Sequence, residues 1–168
     1  KDSDIICKRH GLPYRQIPDA ESFFKILGCE LDVYYIVRER GTEILCDLNE
    51  ENVLFSVSEY APADIVLDVG TLEHCFNVAQ ALMNMAMMVK RGGYIIHENP
   101  SNWGNHGFVN INPTFFFDFY SENGFDVEEL KLTTRDGHAY QVPPVQRFRF
   151  PNEEVNIFCL AKRIEVKS

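Results

Sequence analysis

The chain has 168 residues, of which 45% are hydrophobic and 12% aromatic, and this composition is typical of a globular protein with a sizeable core. The formal net charge of -9 argues against broad electrostatic binding to nucleic acid or to an anionic membrane. No apolar run approaches the roughly 20 residues that span a bilayer, and no secretory signal is visible. We therefore expect one domain over residues 1–168, in the cytoplasm, without nucleic-acid or membrane partners.

The five cysteines are odd in number and scattered along the chain. They form no disulfide framework, and this favours a reducing compartment. Cys7 and His10 form a C-x-x-H pair, but no second pair lies nearby to complete a zinc site. We accordingly expect no metal site.

The first predicted elements are a helix and two strands. Asp19 can cap a helix that Gly28 ends, and residues 31–37, LDVYYIV, are rich in β-branched and aromatic side chains. Residues 42–49, TEILCDLN, predict a second short strand ending in Asp47.

The next segment, residues 63–69, reads ADIVLDV and predicts a strand with little alternation. Such a run is typical of a strand covered on both faces, so we expect it near the centre of the sheet. Apolar residues at helical spacing follow, and Gly92-Gly93 is expected to end that helix. Residues 94–100, YIIHENP, predict another buried strand.

The last third of the chain predicts a helix, begun by Asn112-Pro113 and stopped by Gly124. Strands are expected at residues 125–134 and within residues 153–166, joined by an irregular excursion. Because no crossover helix joins these two strands, they should pair antiparallel. Strands alternating with helices predict an α/β fold with a mixed sheet.

Three predicted strands end in polar groups, and ligands bind at the carboxyl ends of strands in open α/β sheets. The segments are Asp47–Asn49, Asp68–Gly70 and His97–Asn99. They are distant in sequence, but they become neighbours in space if the strands run parallel. Their convergence predicts a ligand site at this edge.

The order DLN, ADIVLDVGTLEHCFN, MVKRGGYIIHENP and HGFVNINPTFFFDFYSENGF resembles class I S-adenosylmethionine-dependent methyltransferases, closest to bacterial small-molecule methyltransferases. The resemblance covers roughly Phe23 to Val166. It implies a Rossmann-like three-layer sandwich with a mixed, mainly parallel sheet and a C-terminal antiparallel hairpin. The family's first strand and its glycine-rich loop are not found in residues 1–168. A strand and a glycine-rich turn before Lys1 would favour the enzyme, and their absence would favour a non-catalytic domain.

The resemblance also implies cofactor-binding roles for S-adenosylmethionine. Asp47 would contact the adenine amino group, and the Leu48 amide would meet a ring nitrogen of the adenine. Asp68 and Gly70 would border the methionine part of the cofactor. Tyr35 stands where the family usually has a ribose-binding acid.

Catalytic roles are implied for three further residues. Glu73 and His74 would lie beside the transferred methyl group, and histidine is a residue type that serves as a general base. The loop at residues 101–113, which carries His106, is expected to form the wall of the acceptor pocket. His74 and His106 should point into one cavity, which would take a small molecule or a glycan precursor.

Two other functions are compatible with the sequence. One is a non-catalytic methyltransferase-like domain that serves as a binding module or partner subunit. The other is a nicotinamide-dependent oxidoreductase, although it too needs a glycine-rich turn, and the closing hairpin does not suit it. The oligomeric state is not predicted.

Overall fold

The computed structural model of the chain describes residues 19–39, 41–53, 62–143 and 146–164, together with Lys8. Cys7 and His10 lie outside the described residues. The chain divides into two compact units, Lys1–Ile44 and Leu45–Ser168. The expectation of one domain stays a prediction.

The first unit contains α1 (Ala20–Ile26) and β1 (Tyr34–Tyr35), and β1 pairs with β2 (Ile44–Leu45) in a two-stranded sheet. Asp19 caps α1 as expected, because its Oδ1 accepts a hydrogen bond of 2.8 Å from the Ser22 amide. The two strands are shorter than the apolar runs that predicted them.

The second unit contains most of the regular structure. Its elements are β3 (Ala63–Val69), a 3-10 helix (Leu72–His74), α2 (Val78–Met88), β4 (Val89–Pro100), α3 (Pro113–Glu122), β5 (Phe125–Thr134), β6 (Ala139–Gln141) and β7 (Val155–Arg163). Asn112 caps α3 by accepting from the Thr114 amide, and Gly124 follows α3 with a φ of +78°.

The expected end of α2 at Gly92-Gly93 is wrong. The helix ends at Met88, and β4 begins at Val89 and continues through both glycines. The reason is tertiary: Val89 is fully buried and pairs with Ala63 of β3. Strand pairing therefore overrides the local signal of the glycine pair.

The five strands of the second unit lie in the order β3-β4-β7-β5-β6. Of the four pairings, only β3 with β4 is parallel. The mixed α/β class is confirmed, but the described sheet is mainly antiparallel, not mainly parallel. The cause is the run of connections after β5, which lack crossover helices and so reverse the chain direction.

The expectation of a central β3 is also wrong for the described sheet, in which β3 is an edge strand. Its side chains Ile65, Leu67 and Val69 are 53%, 43% and 66% exposed. An unbroken apolar run predicts burial but carries no information about which strand lies beside it.

The core lies on one face of this sheet. Alternate residues of β4, β7 and β5 are buried there against α2 and α3: Ile95, His97, Ala161, Cys159, Ile157, Leu130 and Leu132. Their neighbours on the other face, such as Ile96 and Phe158, are half-buried. The described helices of this unit thus form one layer on one sheet face, and the three-layer sandwich stays a prediction. Among the described helices, none combines the length and apolar content that a membrane crossing requires.

Candidate functional site

A buried chain of hydrogen bonds joins β3, β4 and α3. Asp68 and His97 are direct partners in the parallel register, and Asp68 Oδ2 lies 2.6 Å from His97 Nδ1. His97 Nε2 lies 2.6 Å from the hydroxyl of Tyr120, and all three residues are at most 1% exposed. The Phe116 ring stacks on the His97 imidazole at a centroid distance of 4.4 Å. Two strand ends expected to converge therefore do so through these side chains.

Both hydrogen-bond partners of His97 are buried side chains. Burial, then the electrostatic effects of Cys159 and Asp68, raise the pKa of Tyr120 well above its ordinary value, so the phenol keeps its proton. A carboxylate only accepts, so His97 Nδ1–H donates to Asp68, and Nε2 pairs with the Tyr120 hydroxyl. Both ring nitrogens of His97 are therefore used inside the protein.

Asn99 connects this chain to a second carboxylate, Glu73. Its Nδ2 donates to Asp68 Oδ2 and to Glu73 Oε2, each at 3.0 Å. Asp68 Oδ1 accepts the amides of Thr71 and Leu72 at 3.1 Å, which holds the turn that carries Glu73. Asn99 therefore fixes the orientation of the Glu73 carboxylate.

Glu73 presents its other oxygen to two imidazoles. Glu73 is fully buried, yet Oε1 has no hydrogen-bond partner among the described residues. Oε1 lies 3.8 Å from His74 Nε2 and 3.5 Å from His106 Nε2. The rings of His74 and His106 are 5.2 Å apart edge to face, and their side chains are 52% and 41% exposed. The structure thus brings together the three residues expected to be catalytic; their roles stay predictions.

The loop that carries His106 is closely packed on Glu73. The Phe108 amide donates to the Glu73 carbonyl at 2.8 Å. Gly107 has a φ of +68°, and a Cβ there would lie 2.8 Å from both the Glu73 carbonyl oxygen and Cγ. The two ends of the loop are also held together, because the Ser101 hydroxyl donates to the Ile111 carbonyl. His106 is therefore placed by backbone contacts.

Three aromatic side chains lie near the two histidines in the sequence, and one of them packs on His106. The Trp103 ring lies 5.3 Å from the His106 ring, and its buried Nε1 has no described hydrogen-bond partner. Phe76 and Phe108 pack edge to face at 5.8 Å and are 84% and 67% exposed. Flat apolar surfaces beside a few polar groups are typical of a small-molecule site.

The third strand end, Asp47–Asn49, is tied to α2. Asn84, only 2% exposed, donates to the Leu48 carbonyl at 2.9 Å and to the Glu50 carbonyl at 3.0 Å. Asn49 Oδ1 accepts the amide of Asn77, the cap of α2, at 2.9 Å. Among the described residues, hydrogen bonds to the Asp47 carboxylate reach Oδ1 alone, from Asn49.

The other expected cofactor residues are placed as follows. The Asp68 carboxylate is directed into the protein and is used on both oxygens, so only its backbone remains for a cofactor. Gly70, with a φ of +79°, donates its amide to the Glu98 carbonyl at 3.1 Å, and a Cβ there would lie 3.4 Å from Glu73 Oε1. Tyr35 belongs to the first unit, where it is 44% exposed. Their contacts with a cofactor stay predictions.

The thiol of Cys75, which lies beside Glu73 and His74 in the sequence, is unreactive at neutral pH. Burial, with the negative charges of Asp68, Asp47 and Glu73, raises the pKa of Cys75 to about 11. Its thiol points to the Thr71 carbonyl at 3.7 Å. A thiol that keeps its proton at neutral pH is a poor nucleophile and a poor metal ligand.

Reasoning from sequence missed Tyr120 as the partner of His97 and Asn84 as the residue that holds the Leu48 and Glu50 carbonyls. It also gave no role to His97 or Asn99 individually. A period-two signal was available for His97 and Asn99, which share a face of β4. Asn84 was visible as a polar residue next to Leu82 and Met85 in an apolar helix. Tyr120 carried no signal, because its partner comes from another element.

A depression of about 510 Å³ lies elsewhere, on β5 and β6. Its lining includes Glu128, Glu129 and Gln141, and none of the residues of the Asp68–His97 or Glu73–His74–His106 groups. Glu129 forms an ion pair with Lys131 at 2.8 Å. The lining of this depression contains no base paired with a nucleophile.

The chain was compared with protein-family models and with curated proteins. No family model matches it, and no curated protein is significantly similar to it.

Proposed function

We propose that the chain is a cytoplasmic, S-adenosylmethionine-dependent methyltransferase acting on a hydroxyl or amine of a small molecule or glycan precursor. The observation that carries the proposal is the gathering of polar groups at the carboxyl ends of β3 and β4. There the buried Glu73 faces two solvent-accessible imidazoles. The resemblance of the sequence to class I methyltransferases supplies the reaction.

The fold supports the proposal in outline. A parallel pair, β3 and β4, is followed by the antiparallel pair β5 and β7. This combination agrees with the second half of the Rossmann-like sheet that the resemblance implies. In the complete arrangement, further strands would pair with the free edge of β3, and helices would cover the half-buried sheet face.

In the proposed reaction, the acceptor oxygen or nitrogen attacks the methyl carbon of the sulfonium. A new bond to carbon forms as the carbon–sulfur bond breaks, and sulfur keeps the electron pair. Positioning supplies much of the rate in such an in-line displacement. The acceptor proton passes to the Glu73–His74–His106 cluster and then to water.

The cofactor would lie between the Asp47–Asn49 turn and Gly70. The turn is held by Asn84 and Asn77, and the second Asp47 oxygen, which no described residue hydrogen-bonds, would be available to the adenine. A rigid turn loses little conformational freedom when it binds a ligand, and this favours affinity.

The direct test is calorimetric titration of the full-length protein with S-adenosylmethionine and S-adenosylhomocysteine. The enzyme should bind both, and it should release S-adenosylhomocysteine with at least one member of a panel of hydroxylated metabolites and nucleotide-activated sugars. Binding of neither cofactor form would contradict the proposal. It would favour the non-catalytic module, which Tyr35 at the ribose position supports.

With an active acceptor in hand, His106→Ala should lower turnover by about 100-fold or more, in the range for loss of a general base. Its affinity for S-adenosylmethionine should stay close to that of the wild type. The control is His138→Ala, which removes an exposed histidine paired with Asp136. Equal turnover in both variants would exclude a role for His106.

A further inference from the structure

We infer that Glu73, His74 and His106 form a binding site for a divalent transition-metal ion. The ligand atoms of the three residues all lie within 4.8 Å of one another. They would be Glu73 Oε1 and the Nε2 atoms of the two histidines. This goes beyond the proposed methyl transfer and departs from the sequence, which gave no reason to expect a metal.

The distances are close to those of a coordination shell. Glu73 Oε1 is 3.5 Å from His106 Nε2 and 3.8 Å from His74 Nε2. Ligand atoms about 2.0–2.1 Å from a tetrahedral ion are about 3.4 Å from each other. Small rotations of the two partly exposed imidazoles would close the remaining gap.

The second observation is the state of Glu73 Oε1. A buried carboxylate oxygen normally has a hydrogen-bond partner, and this one has none among the described residues. Burying an unpaired charge is costly, and a cation bound at Oε1 would offset that cost. The atom points at the two imidazoles, so the position for the ion is already defined.

The surroundings of Glu73 match those of metal ligands. Asn99 Nδ2 donates to Oε2 and leaves Oε1 directed at the histidines. Such outer hydrogen bonds orient metal-binding carboxylates. Gly70 and Gly107 both approach Glu73 closely, and a Cβ at either position would contact its side chain.

The donor set indicates the class of metal. Two imidazole nitrogens and one carboxylate oxygen suit zinc, iron, cobalt or nickel, whereas magnesium and calcium prefer oxygen ligands. Three protein ligands leave a coordination position open, and the exposed sides of both histidines face solvent.

The chemical role of the ion rests on the proposed function, although its binding does not. An acceptor hydroxyl at the open position would lose its proton more readily, because a divalent charge stabilises the alkoxide. The histidines would then act as ligands, and the proton would leave to water.

The test is titration of chelator-treated full-length protein with Co²⁺, followed by its ligand-field absorption, and with Zn²⁺ by calorimetry. We expect one tight equivalent and an increase in melting temperature with Zn²⁺. His106→Ala should weaken binding by at least about 100-fold, since changes to residues that only hydrogen-bond the ligands already cost about 10- to 100-fold. Asn99→Ala should weaken it by about 10- to 100-fold.

His138→Ala is the matched control and should bind Co²⁺ and Zn²⁺ as the wild type does. The inference is overturned if the wild type binds neither ion, or if His106→Ala binds them equally well. Because no cofactor is present in these titrations, the result is separate from that for S-adenosylmethionine. Metal binding without cofactor binding would leave this inference standing and the proposed function refuted.

Discussion

Among the histidines of the site, His97 differs from His74 and His106 in having no nitrogen left for chemistry. Asp68 and Tyr120 occupy its two ring nitrogens in the interior. His74 and His106 instead face Glu73 and solvent. At the residue scale, His97 therefore stabilises the structure, whereas the other pair is available for a ligand or a proton.

Replacing Tyr120 by Phe tests this assignment. The change leaves His97 Nε2 buried without its hydrogen-bond partner, so the free energy of unfolding should fall by about 1–3 kcal/mol. Urea denaturation would measure the loss. The control is Tyr140→Phe, which removes an exposed hydroxyl bonded to Glu153 and should have little effect. Equal stability of both variants would show that the Tyr120 hydroxyl does not support His97.

Asp47→Ala tests the adenine contact. The variant should bind S-adenosylmethionine more weakly by about 1–3 kcal/mol, or about 5- to 150-fold, because a hydrogen-bond partner of the ligand is lost. Calorimetry measures the affinity, and the exposed Asp118→Ala on α3 serves as the control. Unchanged affinity would remove Asp47 from the cofactor site.

At the scale of elements, the loop between β4 and α3 depends on Gly107. An alanine there would combine an unfavourable φ with a Cβ 2.8 Å from the backbone of Glu73. We expect Gly107→Ala to lower the free energy of unfolding by about 1–3 kcal/mol and to displace His106 from Glu73. Gly104→Ala is the matched control, since nothing lies within 4 Å of its Cβ position. Denaturation measures the first effect, and Zn²⁺ affinity reports the second; similar values for both variants would contradict the prediction.

The ends of helices that depend on residues close by in the sequence could be predicted. Asp19 and Asn112 cap their helices with side chains two or three residues from the amides they bind. The end of α2 could not be predicted, because Val89 joins β4 through pairing with Ala63, which is distant in the sequence. The same limit applied to the site: the ends of β3 and β4 marked Asp68 and His97, but the contact with Tyr120 depends on how α3 packs.

For the molecule as a whole, the buried thiols predict that the free energy of unfolding falls at alkaline pH. Burial raises the pKa of Cys46 and of Cys75 from 9.0 to about 11, and that of Cys159 to about 12. Between about pH 9 and about pH 11 the unfolded chain has released thiol protons that the folded chain keeps. The unfolded state then binds fewer protons, so stability falls as pH rises.

Urea denaturation at about pH 8 and about pH 10 should show this decrease, and Cys159→Ala should show a smaller one than the wild type. Stability that stays level across this interval would mean that the thiols ionise as easily in the folded protein as in the unfolded chain.

The exposed side chains of β3 bear on colloidal behaviour. Within the described sheet β3 pairs on one side only, and Ile65, Leu67 and Val69 are exposed on it. An apolar edge strand of this kind is a template for intermolecular pairing. Asp64, ion-paired with Lys90, places charge at the start of the strand, where it opposes such pairing. Mutual repulsion from the net charge of -9 also keeps copies apart, but electrolyte screens it. The protein should therefore stay dissolved best at low ionic strength, and added salt should promote its precipitation.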